Sequence, residues 1–265
     1  RMDDLTNTTN IAERSDRNAL RCRMFEPEQE PKTDFYWVLD QSGSMSDDYE
    51  RVRAVANDFY SQLNRSALDY RLGVTSMYEG DEGHIRPNNG WGTSISGFLS
   101  DITWVENRCE ELGFGSGCGS EEYGLKVAKK GVEYMNTAAA RQNGDGFRPD
   151  ANVITIFMSD EESQTAQDSG VSATSNYRNY LSQHTTSFAI VSDSEDCGTT
   201  IGASYQQAAL DTGGCHASLC AENINETIED IIIAAVGYAA NYELPGTPIS
   251  STLRVYINGD WIPRS

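Results

Sequence analysis

Basic residues are scarce in this chain. Twenty Lys and Arg stand against forty Asp and Glu, a formal net charge of −20. That balance argues against nucleic acid or anionic membrane as a partner, since both would be repelled. Histidine is scarcer still. His84, His184 and His216 are scattered and form no ligand spacing. No Cys-x-x-Cys occurs, so neither a zinc ribbon nor a thioredoxin-like site is supported. No apolar stretch reaches membrane-spanning length, and the best run, Ile231 to Ala235, lies inside an amphipathic helical pattern. The glycine-rich Gly113-Phe114-Gly115-Ser116-Gly117 is not followed by the Gly-Lys-Ser/Thr of a phosphate cradle. A Gly-x-Ser-x-Gly elbow is missing too, and no His sits where a serine hydrolase would need one.

What is there points to an exported α/β protein. A length of 265 residues is ample for a sheet protected on both faces. Six cysteines, an even number, suit a disulfide-stabilised protein of an oxidising compartment. The chain opens at Arg1 without a signal peptide and is read as mature or trimmed. Residues 1–33 are polar and read as a tail. From Phe35 strands and helices alternate, with strands expected at 35–39, 70–77, 152–158, 185–192 and 215–219. Helices are expected at 48–63, 120–136, 171–183, 205–210 and 224–240. Residues 78–119 form a weakly periodic inserted region, with a short strand and helix near 97–106. This order predicts a doubly wound, mostly parallel sheet flanked by helices over 34–242. Residues 243–265 read as a short β extension, because Thr252 to Ile257 alternates and Asn258-Gly259 is a hairpin signal. It is either the start of a further module or a strand returning onto the domain.

The run Phe35-Tyr36-Trp37-Val38-Leu39-Asp40-Gln41-Ser42-Gly43-Ser44-Met45 carries the chemistry. A buried strand ends in Asp-x-Ser-x-Ser just before a helix, placing one carboxylate and two hydroxyls at the carboxyl edge of a sheet, where open α/β folds bind ligands. Such hard oxygens suit Mg²⁺. An EF-hand is excluded, since Met45 stands where that loop needs Gly and Arg51 where it needs Glu. The run resembles the signature of von Willebrand factor A domains, whose metal-ion-dependent adhesion site begins with these three residues. The resemblance implies two further metal loops. One normally supplies Thr ahead of a helix; here Ser120 stands in that place, with Ser116 and Thr93 as alternatives. The other supplies Asp after a buried strand, which Asp160 matches. The expected metal set is therefore Asp40, Ser42, Ser44, Ser120 and Asp160, holding Mg²⁺, Mn²⁺ or Ca²⁺. Glu161 and an exposed Trp91 are expected to touch the ligand.

By that resemblance the chain is non-enzymatic. It is expected to capture a protein or surface ligand presenting an acidic group, outside the cell or at its surface. The cysteine content and Thr212-Gly213-Gly214 further resemble bacterial secreted members, including outer-membrane or periplasmic lipoproteins and gliding or pilus adhesins. The alternatives are an assembly subunit whose metal only stabilises it, and a metal-dependent hydrolase using Glu161 or Glu162 as base. Of the 15 cysteine pairings, the strand reading favours Cys109–Cys118 across the glycine-rich loop. It also favours Cys197–Cys220 at the carboxyl edge and Cys22–Cys215 at the opposite edge. A Cys215–Cys220 bridge is disfavoured, because five residues of strand span about 16 Å, far beyond disulfide reach.

Overall fold

Strand β1 (Lys32–Leu39) is buried from its second residue onward, as expected of a strand covered on both faces of a parallel sheet. A computed structural model places it centrally and describes residues 32–66, 68–86, 90–113, 122–194, 196–221, 225–239, 255–257 and 260–262. β2 (Asp69–Ser76), β3 (Asn152–Ser159), β4 (Thr186–Val191) and β5 (His216–Ser218) complete one parallel sheet in the order β2-β1-β3-β4-β5. Winding reverses between β1 and β3, the crevice where such sheets take ligands at their carboxyl ends.

Alternation along β1 divides the core. Phe35, Trp37 and Leu39 face one hydrophobic cluster, and Tyr36 and Val38 the other. Over the first face lie α1 (Tyr49–Leu63), α2 (Ile95–Glu106) and α8 (Asn225–Ala239). They present Val52, Val55 and Phe59, then Phe98 and Ile102, then Ile228 and Ile231. Each set follows the three-to-four spacing of an amphipathic helix. The second face is covered by α4 (Gly124–Met135), α6 (Thr165–Leu181) and α7 (Ala203–Asp211), through Leu125, Val132, Leu181, Tyr205 and Ala208. Two short helices, α3 (Arg108–Glu111) and α5 (Ala138–Asn143), were not expected from the sequence. The expected strand near 97–106 is helix throughout, and only a Leu72–Gly92 bridge, antiparallel to β2, stands nearby. α6 begins six residues before the expected 171. Gly170, at φ 79°, breaks it there, so the periodic pattern belongs to its second part.

At the amino edge of the sheet, fully buried Asp34 accepts from Arg71 Nε at 3.0 Å and Nη2 at 2.6 Å, and from Arg148 Nε at 2.8 Å. Arg148 also reaches Asp69, at 2.6 Å. Trp91, expected to be exposed for ligand contact, instead sits here half-buried. Its Nε1 donates to Asp145 O at 2.8 Å, and the Arg71 guanidinium lies 4.6 Å from its ring centre. It anchors the loop at the end of the sheet remote from Asp40.

The chain divides into a unit spanning Glu30–Ala239 and a second formed by its two ends, Arg1–Gln29 and Ala240–Ser265. In the latter, β6 (Val255–Ile257) and β7 (Asp260–Ile262) pair antiparallel with Ile257 opposite Asp260, as the hairpin signal predicts.

Candidate metal centre

β1 and β3 end side by side, and Asp40 N donates to Met158 O at 3.0 Å. Asp40, fully buried, therefore stands beside the loop that carries Asp160, itself nearly buried. Asp40 Oδ1 accepts from Ser42 N at 2.7 Å, closing a tight turn, and Oδ2 accepts from Ser159 Oγ at 2.5 Å. The turn runs into a 3-10 segment, Gly43–Asp47, ahead of α1. Tyr49 OH ties that helix back to the loop by donating to Asp40 O at 2.6 Å. Ser42 Oγ and Ser44 Oγ are 2.8 Å apart, and Ser44 Oγ lies 3.0 Å from both Asp160 Oδ1 and Glu161 Oε1. Asp40, Ser42, Ser44, Asp160 and Glu161 thus form one cluster. Ser120 and Ser116 lie outside the described residues. Thr93 is not brought to the cluster: its carbonyl is near Tyr60 OH, eleven residues along α1 from Tyr49 and about 16 Å farther on.

Several residues that hold the cluster gave no sequence signal. Ser159 ends β3 and bonds Asp40 as above. The 197–200 loop wraps Asp160: Thr199 N donates to Asp160 O at 3.0 Å, and Thr199 Oγ1 lies 3.3 Å from Oδ2. Gly198 permits this approach. It sits at φ 137°, and a Cβ there would come 2.4 Å from Asp160 O. The same loop is anchored by the Cys197–Cys220 disulfide, with Cα atoms 5.6 Å apart, as the strand reading paired them. Cys109 is also disulfide-bonded, and Cys118 lies outside the described residues. The Cys22–Cys215 pairing is wrong, because Cys215 is a free thiol, 3.9 Å from Asp230 Oδ2 on α8.

Glu122 falls at the start of the helix expected over 120–136. α4 begins two residues later, at Gly124, and Glu122 is fully buried. Glu162 serves a structural purpose: its carboxylate accepts from Ser204 N at 2.9 Å at the start of α7, and from Ser163 N at 3.0 Å.

The electrostatics are those of acids short of a cation. Burial, reinforced by the Asp160 charge, pushes Asp40 up to about 7 against opposing hydrogen bonds from Ser159 and Ser42. Burial, then the charges of Asp40, Glu161 and Asp160, push Glu122 up to about 8. Asp160 is raised by burial and by Glu161. Among the described residues no Lys or Arg pairs with these three. Nor do three His, Cys, Asp or Glu side chains among them form a metal cluster by themselves. The donors are instead mixed carboxylate and hydroxyl oxygens, a set that fits a hard divalent cation.

No protein-family model and no curated protein matches the chain. Solved structures of similar fold include proximal thread matrix protein 1 of the mussel byssus, at 14% identity and TM-score 0.48, covering 79% of this chain and 49% of that one. A second structure of that protein, with a zinc-occupied MIDAS motif, gives 15% and 0.47 over the same shares. The PilB minor pilin of Streptococcus sanguinis gives 10% and 0.46, covering 82% and 64%. The chain thus spans about half the length of the mussel protein. These similarities concern general fold alone.

Proposed function

We infer that this chain is a metal-dependent binding module of the von Willebrand factor A type, working outside the cell and non-enzymatic. The observation that carries the reading is the cluster at the β1/β3 crevice, where buried Asp40 and Asp160 meet the Ser42 and Ser44 hydroxyls and no cationic side chain among the described residues neutralises them. Asp40, Ser42, Ser44, Asp160 and, outside the described residues, Ser120 would hold a divalent cation. When bound, that ion would act as a Lewis acid with a position left for an acidic group of a protein or surface partner. Asp40 is the buried anchor of the set. Buried Ser42 and exposed Ser44 add neutral oxygens without cancelling the ion's charge. Glu161, half-exposed beside Ser44, stands at the rim that a partner would meet.

The Cys197–Cys220 bridge supports an exported setting. Glu162, one of the two alternative bases of a hydrolase reading, is engaged with backbone amides instead. The test is capture of partners from surface extracts, with and without chelator, by the parent and by Asp40→Ala. Chelator-sensitive capture that the variant loses is the expected result. Capture indifferent to both would sink the reading. Loss of folding in the variant would make the metal a structural one.

A further inference from the structure

The amino edge of the sheet, opposite Asp40, holds a cleft of about 530 Å³ across the starts of β3 and β4. For a chain of net charge −20 its lining is unusual. Arg141, Arg148 and His184 contribute to it, and none of the described lining residues is Asp or Glu. The acids nearby are already engaged. Arg71 and Arg148 hold Asp34, Arg148 holds Asp69, Lys32 holds Asp150, and Arg178 Nε lies 3.1 Å from Asp211. Arg148 is thereby committed to the fold, but Arg141 is not. From α5 it donates through Nε to Phe147 O at 3.1 Å and through Nη2 to Asn136 Oδ1 at 3.3 Å. Both acceptors are neutral, so its charge meets no carboxylate among the described residues. His184, in the turn between α6 and β4, stacks on Tyr180 at 4.1 Å and donates from Nδ1 to Tyr180 O at 2.8 Å. A carbonyl only accepts, so in the neutral ring Nε2 is the acceptor. Asn152 and Gln183 add amide groups to the same lining.

We propose that this cleft binds a carboxylate flanked by hydroxyls, the chemistry of a uronic acid residue. It lies apart from the cation cluster and does not depend on it. Arg141 supplies the charge and a planar fork that matches a carboxylate. His184 and the two amides suit hydroxyls, which both donate and accept. One uncommitted guanidinium balances a singly charged carboxylate better than a phosphate, which carries nearly two charges at neutral pH. The volume falls within the range of small-ligand sites. A neutral sugar would leave Arg141 unanswered, and an acid without hydroxyls would leave the amides and the imidazole unpaired. The acidic surface around the cleft repels anions at long range, so a ligand must be gripped by directional bonds as well as by charge.

NMR titration in EDTA, where no cation can hold a carboxylate at the other edge, tests this with galacturonate, galactose, inorganic phosphate and trigalacturonate as probes. Galacturonate is expected to shift the backbone amide signals of Asn152 and His184. It should bind at least about tenfold more tightly than galactose or phosphate, the difference that one charge-assisted pair makes. Arg141→Gln should lose about tenfold in galacturonate affinity and nothing in galactose affinity. Trigalacturonate bound at least as tightly as the monomer would assign the cleft to glycan chains, and binding of the monomer alone would assign it to free hydroxy acids; either result supports the proposal. Galactose or phosphate binding as tightly as galacturonate would overturn it, as would a parent in which galacturonate shifts neither residue. These comparisons use the parent protein, so they decide the matter even if Arg141→Gln does not fold.

Discussion

Asp40 shows how one residue links stability to pH. Burial raises its pKa to about 7, and that of Glu122 to about 8, against an unfolded value of about 4. Both groups are protonated in folded and unfolded chains below about pH 4, where their effect on stability vanishes. As pH rises toward 7 and 8 the unfolded chain has released protons that the folded one still holds, so these groups progressively destabilise the metal-free protein. In EDTA, the melting temperature of Glu122→Gln should therefore gain on that of the parent as pH climbs from 4 to 8; a constant difference would contradict this. A cation competes with the same protons, so its affinity should rise through that window. At the opposite edge, Asp34→Ala would leave Arg71 and Arg148 facing each other without their shared acid. Urea unfolding should show a loss of about 3 kcal/mol or more, with cation affinity unchanged. Asp40, Ser42, Ser44 and Asp160 were legible in the sequence because strand, loop and helix signals surround them locally. Glu122 and Trp91 were not, because their surroundings are long-range. Gln164 and Met77 fix the one; Arg71 and Asp145 fix the other.

Among the elements, the loop 197–200 depends most on a covalent tie. Cys197–Cys220 closes a span of 23 residues, for which loop entropy gives about 3 kcal/mol of stabilisation. Replacing both cysteines with Ser should remove about that much in urea titration. It should also weaken the cation, because Thr199 would no longer be held against Asp160. Gly198→Ala should weaken the cation with the disulfide intact, since the added methyl collides with Asp160 O. Unchanged cation affinity in both variants would show that Asp160 needs no such support. Helices α1, α7 and α8 fall within two residues of the bounds read from periodicity, because each buries one regular stripe. The start of α4 did not. Glu121 and Glu122 look like first-turn acids, but contacts distant in sequence engage the backbone just before the helix: Glu122 O accepts from Gln164 N and Tyr123 N donates to Met77 O. The Cys215 pairing failed for a similar reason. The strand reading placed the residue at the correct end of β5, but its thiol faces Asp230 on α8.

For the whole molecule, the order of strands and helices was readable because buried parallel strands are continuous apolar runs and their crossovers are amphipathic. The sequence did not show which residues lie at the carboxyl edge besides those in motifs. A cation binding only the folded state at a hundred times its dissociation constant should stabilise the protein by about 2.7 kcal/mol. A melt in CaCl₂ raised above that in EDTA checks it. The sheet has another property that follows from its margins. At one margin Leu72 and Gly92 exchange backbone hydrogen bonds of 2.8 and 2.9 Å, and Arg86 N caps Val74 O at 2.8 Å. At the other, β5 is three residues long and ends beside a disulfide. Among the described residues neither margin offers a long bare row of amides and carbonyls, the template on which strands of other copies stack. Copies of this unit crowded together at high local density thus lack a ready route to polymerise through their sheets.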